Sequence, residues 1–171
     1  MEETVIFAAG CFWGVQYYFD QVPGVLETEA GYTGGHTDQP TYEQVCSHVT
    51  RHAEAVKITY NPAKVSYEVL LKHFFRMHDP TQLNRQGPDV GDQYRSAIFY
   101  QNDEQKQQAQ KIIEALNETK FGGKIVTTLE PAFAEASADR PAGKWWPAEE
   151  HHQKYTEKTG RGICHVPYAP I

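Results

Sequence analysis

The sequence predicts a single α/β (α+β) domain of two layers, a sheet with helices packed on it. Three observations predict it. Short apolar runs with a period of two alternate along the chain with segments of helical period. The length of 171 residues, with 40% hydrophobic and 22% charged residues, suits one ordinary globular domain with a real core. No internal repeat, low-complexity tract or convincing linker divides the chain, so residues 1–171 are expected to form one unit, a core over 4–160 and a tail over 161–171.

The elements follow in order. Thr4–Ala9 reads as a buried strand that stops at Gly10, and a helix is expected from Cys11 to about Phe19. Val25–Gly31 is a second strand, followed by the turn-rich Gly34-Gly35-His36. Ala53–Tyr60 alternates: Glu54, Val56, Ile58 and Tyr60 face one way, Ala53, Ala55, Lys57 and Thr59 the other. Ser66 is placed to cap a helix through Met77, with Leu70, Leu71, Phe74 and Phe75 inward. The polar stretch His78–Gln93 is long for a connection, and long ordered loops often carry function. Tyr94–Gln101 reads as a strand, Asp103–Thr119 as a helix and Ile125–Glu130 as a strand. A helix is expected over Glu149–Thr159, stopped by Gly160, before an extended tail, Arg161–Ile171.

Charge and composition narrow the function classes. A net charge of −6 with scattered Lys and Arg argues against nucleic acid as a partner. Apolar runs such as Val5–Ala9 are too short to span a bilayer, and the acidic start Met1-Glu2-Glu3-Thr4 reads as no secretory signal. Three cysteines, an odd number, point to a reducing, cytoplasmic setting in which a thiol is kept for reactivity or packing.

The strongest chemical signal is Gly10-Cys11-Phe12-Trp13-Gly14 at a strand-to-helix junction. A helix N-terminus offers unpaired N–H groups and a positive dipole end, which favour the thiolate, the reactive form of cysteine. Phe12 and Trp13 would make an apolar wall suited to a small group such as a methyl. On this fragment alone, Cys11 serves equally as a core filler. Cys46 lacks a basic neighbour or helix start and reads as a structural thiol. Cys164, flanked by Gly160 and Gly162, is either a stray thiol or one that attacks a sulfenic acid elsewhere. Glu54, on the apolar face of its strand, is placed to stay protonated and act as an acid; a solvated strand-end carboxylate is the alternative. Tyr42 and Tyr94 are possible phenol donors among ten tyrosines. A metal is not expected. His48 and His52, with Cys46 nearby, fall in a turn-like stretch, and His151 and His152 would point apart on a helix.

Gly10-Cys11-Phe12-Trp13-Gly14 resembles the signature of the A-type peptide methionine sulfoxide reductases. The resemblance continues through Gly31–Gly35, Tyr42–Cys46, His52–Val56, Asp79–Gly87, Asp89–Ser96 and Ala148–Tyr155, in order, and reaches Cys164. It implies a two-layer sandwich with a ferredoxin-like core and an irregular C-terminal coil. It also implies the reduction of methionine-S-sulfoxide, free or in oxidised proteins, by Cys11 as nucleophile. Glu54, Tyr42 and Tyr94 would bind and protonate the sulfoxide oxygen, Phe12 and Trp13 would hold the methyl, and Asp89 and His152 would orient the substrate. Cys164 would close a disulfide with Cys11, and thioredoxin would reduce it, with no metal or organic cofactor. A monomer is expected. The chain departs from the common pattern at Pro88, at His151 and after Cys164, where His165-Val166-Pro167-Tyr168 follows with no further cysteine. The resemblance therefore implies one resolving step and no relay. Two competing functions use some of the same residues: a thiol peroxidase with the same disulfide, and a binding module without turnover.

Overall fold

The computed structural model describes residues 1–132, 144–163 and 167–171. Its elements are β1 (Glu3–Ala9), α1 (Phe12–Phe19), β2 (Val25–Thr33), α2 (Tyr42–Cys46), β3 (Ala53–Tyr60), α3 (Tyr67–Met77), β4 (Arg85–Gln86), β5 (Asp89–Val90), β6 (Ser96–Tyr100), α4 (Asp103–Leu116), β7 (Thr128–Pro131), β8 (Trp146–Pro147) and α5 (Tyr155–Thr159). Six strands form one sheet in the order β7-β6-β1-β3-β2-β8, and β4 pairs with β5 in a separate hairpin. All pairs in the main sheet are antiparallel except β6 with β7. Within it, β6-β1-β3-β2 is the ferredoxin-like core: β1-α1-β2 is split by β3, and β3-α3-β6 is split by β1.

The alternation read in β3 is realised. Glu54, Val56, Ile58 and Tyr60 are all 0–1% exposed; Val56, Ile58 and Tyr60 join the large core cluster with Phe12, Phe19, Leu70 and Phe74. Ala53 and Ala55 join a smaller cluster with Ile6, Ala8 and Phe99. Large side chains thus point toward α1 and α3, while small ones line the other side. Ser66 caps α3 by accepting from the Val69 N–H at 3.3 Å. Leu70, Leu71 and Phe74 are then fully buried, each contributing about 1.5–3 kcal/mol.

Three local expectations are corrected. The helix expected over Asp103–Thr119 is α only to Leu116 and continues as a π-helical turn, Asn117–Phe121, ending at the left-handed Gly122. The helix expected over Glu149–Thr159 is two pieces, a 3-10 turn at Glu150–His152 and α5, because Lys154 adopts φ 54° between them. Its side chain explains why: Lys154 Nζ bonds Asp20 and Thr28, and its N–H donates to Gln16 Oε1 at 2.8 Å, so tertiary bonds outweigh the αL cost. Tyr94 lies in a 3-10 turn (Asp92–Tyr94) ahead of β6 and not within the strand.

Candidate active site

The sharp turn between β1 and α1 requires Gly10, whose φ is 93°. Cys11 follows as the N-cap of α1, 8% exposed, with no side-chain cap bond to the helix. The helix end is therefore open for other acceptors. One of its N–H groups is taken by the acid: Phe12 N–H donates to Glu54 Oε2 at 3.1 Å. The candidate nucleophile and the candidate acid thus meet at one helix end, Cys11 from the turn after β1 and Glu54 from β3. The register that pairs Phe7 with Val56 and Tyr32 with Glu54 produces this meeting. The start of β3 is itself pinned by His52, whose Nδ1 accepts from Gly35 N–H at 3.0 Å and whose Nε2 contacts Thr37 O at 2.7 Å. A side chain at Gly35 would lie 2.3 Å from Thr50 O, so only glycine lets the two loops close. With both ring nitrogens occupied, His52 is not available as a zinc ligand.

Tyr42 and Tyr94 converge on the same place. Burial pushes the Tyr42 phenol well above its ordinary value, with Glu54, Cys46 and Cys11 adding to the rise. Burial likewise raises Tyr94, reinforced by Glu54, Tyr42, Cys46 and Asp89. Both phenols therefore keep their protons and remain donors at neutral pH. Asp89, in β5, has its carboxyl raised by burial and faces the Tyr94 side. Cys46 ends α2, a five-residue helix with a full capping box from Thr41 and Gln44. Burial raises its thiol, which disfavours the reactive thiolate.

The aromatic side of the site is a stack. Trp13 packs flat on Tyr155 at 3.8 Å and on His152 at 5.7 Å; His152 also meets Phe12 at 5.4 Å and Tyr42 at 4.4 Å. Phe12 is 0% exposed. Trp13 Nε1–H donates to His152 Nδ1 at 3.0 Å. Burial lowers the His152 pKa, so its ring is neutral, and the indole bond then leaves the proton on Nε2, 3.4 Å from Glu149 Oε2. His151 and His152 do not point apart; their rings lie 4.1 Å from one another, since the segment is a 3-10 turn and not the expected helix.

Several site residues carried no signal read from the sequence. Glu149 is the hub: it accepts from Tyr32 Oη–H and from Tyr42 N–H, both at 3.2 Å, and approaches His152. Tyr32 is 0% exposed and packs on Phe12 at 5.7 Å. Gln153 locks the segment to β2 by accepting from Ala30 N–H at 2.9 Å and donating to Ala30 O at 2.8 Å. The motif Ala148–Tyr155 was the available signal, but it does not say which of its side chains point inward.

Glu149, His151 and His152 bring ligand atoms within 4.8 Å of one another. A metal on His152 Nε2 would need the lone pair on that nitrogen and would cost the indole bond at Nδ1, so this trio fits an ion poorly. Among the described residues no helix is long and apolar enough to cross a membrane. Cys164 lies outside the described residues.

The sequence profile of the family described as peptide methionine sulfoxide reductase matches residues 3–171. A peptide methionine sulfoxide reductase MsrA of Methanothermobacter thermautotrophicus is 49% identical over 165 residues, covering 96% of this chain and 92% of the relative. The crystal structure of reduced Mxr1 from Saccharomyces cerevisiae superposes with a TM-score of 0.86 at 32% identity, covering 98% of this chain and 93% of that one. Methionine sulfoxide reductase A of Corynebacterium diphtheriae gives 0.84 at 37% identity, over 95% and 77%. A thiol and a carboxyl sharing one helix end, two phenols beside them and a profile match over nearly the whole length lead to one conclusion: this chain belongs to the MsrA family of peptide methionine sulfoxide reductases.

Proposed function

We propose that this reductase acts on methionine-S-sulfoxide, free or in oxidised proteins, through Cys11. The Cys11 thiolate attacks the sulfoxide sulfur. Glu54 gives its proton to the oxygen, and Tyr42 and Tyr94 donate hydrogen bonds to that oxygen as its negative charge grows. The oxygen passes to Cys11, methionine leaves, and Cys11 becomes a sulfenic acid. The Cys164 thiolate then attacks the Cys11 sulfur; the S–O bond breaks, water leaves with the proton, and a disulfide forms. Thioredoxin supplies two electrons by dithiol exchange and returns both thiols. Phe12 and Trp13 hold the methyl group, while Asp89 and His152 orient the rest of the substrate. No metal or organic cofactor takes part, and the chain acts as a cytoplasmic monomer, with 161–171 as the tail that brings the resolving thiol.

One observation carries this reading: the 3.1 Å bond from Phe12 N–H to Glu54 Oε2, which puts a buried carboxyl beside the nucleophile's helix end. In this reading Glu54 is the group that delivers the proton to the sulfoxide oxygen. A sulfoxide oxygen leaves poorly until it is protonated, so an acid beside the thiol favours sulfoxide as the substrate. The test is a stoichiometric reaction without reductant, with mass spectrometry of the products. One methionine per enzyme and a Cys11–Cys164 disulfide are expected from the S epimer. Peroxide consumption without methionine formation would place the chemistry elsewhere.

A further inference from the structure

Residues 167–171 belong to no strand or helix, and all but Tyr168 are exposed. Such an end is expected to fray. Instead, Tyr168 sits in a notch made by α1 and α3. Its ring stacks on His73 at 5.7 Å and meets the edge of Tyr18 at 5.5 Å. With the tail in place Tyr18 and His73 are 3% and 2% exposed, and Tyr18 Oη lies 2.8 Å from His73 Nδ1. Arg76 closes it, donating from Nη2 to Tyr18 Oη at 3.3 Å and from Nη1 to Pro170 O at 3.1 Å.

The chain before position 164 rests on the same helix. A Cβ at Gly162 would lie 3.0 Å from the Trp13 ring. Ile163, Pro167 and Tyr168 line one small cavity with Gly14, Tyr17 and Tyr18 of α1. Position 164 is thus joined on both sides to segments packed against the helix whose N-cap is Cys11. A chain held at both ends searches far less space than one held at one end, which raises the effective concentration of a group it carries.

We propose that Tyr168, with the notch of Tyr18, His73 and Arg76, is a clip that positions the tail for disulfide closure. It is a positioning element for the second step and has no part in methionine release. The proposal rests on Cys164 being the resolving thiol. The step it accelerates is the one balanced above: the sulfur–sulfur bond forms, the Cys11 S–O bond breaks, and water leaves.

The experiment is a single turnover on methionine-S-sulfoxide without reductant, following methionine release, thiol loss and dimedone trapping of sulfenic acid. Tyr168→Ala is expected to release methionine at the wild-type rate but to close the disulfide about threefold to tenfold more slowly, with more dimedone adduct. Tyr168→Phe keeps the stacked ring and should restore closure; Arg76→Ala should fall between. Unchanged closure in Tyr168→Ala overturns the clip, and so does an equal slowing of both steps, which marks a general structural effect. Cys164→Ser run in parallel separates the premises: if it still forms an intramolecular Cys11 disulfide, the resolving assignment fails, whatever Tyr168 does.

Discussion

The Cys11 end of the molecule and the C-terminal strap are held by different means. Cys11 follows β1 and Glu54 lies in its neighbour β3, and their meeting is set by backbone register and by fully buried neighbours such as Phe7, Phe12 and Val56. Moving either requires a slip of the sheet, which would turn a buried face outward. The strap is held by one aromatic ring and one guanidinium on a helix surface. The first arrangement is fixed before substrate arrives, as a chemical step requires. The second rests on side-chain contacts at the surface, made by Tyr168 and at Pro170, which no sheet register enforces.

The comparison breaks first at the sulfur. Cys11→Ser is expected to abolish methionine formation in a single-turnover assay, with the fold retained; residual product at the wild-type rate would remove Cys11 as nucleophile. Glu54→Gln should slow methionine formation by about 10²–10⁴-fold, the usual worth of a positioned acid. An amide oxygen still accepts from Phe12 N–H, so thermal stability should barely move, and a large loss of stability would recast Glu54 as structural.

Tyr42→Phe and Tyr94→Phe should each cost about 10–100-fold, less than a sole oxyanion donor because each leaves the other in place. The double variant should cost more than either alone; no additional loss would mean that the two phenols do not share one oxygen.

The smallest effect sharpens the strap side. Burial holds His73 down to about 4, against 6.5 when unfolded, with Arg76 adding to the effect; Tyr18 and Tyr168 are its other close polar neighbours. As pH falls, the unfolded chain takes up this proton first. His73's share of stability is therefore complete above about 6.5, declines by about 1.4 kcal/mol per pH unit, and is lost by about 4. Thermal melts across that window should show the slope, and His73→Phe should remove it. A slope that persists in the variant belongs to other groups.

Much of this molecule was legible in the chain. The alternation of Ala53–Tyr60 assigned Glu54 to the core face because strand periodicity depends only on which residues are large and apolar. Ser66 and the Leu70–Phe75 pattern placed α3 for the same local reason. The elements that escaped are short: α2 has five residues and β8 two, too few for a period to appear. Lys154 broke an otherwise acceptable helix through bonds to Asp20, Thr28 and Gln16, all more than a hundred positions away. Nor could the chain show that both ring nitrogens of His52 are used by the loops that shape β3.

The sequence by itself determined the fold class, the strand-to-helix junction at Gly10-Cys11 and the family, because these rest on local conformational preference and on motifs in fixed order. Only the tertiary structure decided that one helix end serves both a thiol and a carboxyl, that Glu149 ties Tyr32 and Tyr42 together, and that Tyr168 clips onto Tyr18 and His73. Those are contacts between residues 40 to 150 positions apart. Hydrogen bonds and ring stacks depend on distance and direction in space, and a residue's type does not say which of its many possible partners the folded chain will bring within 3 Å.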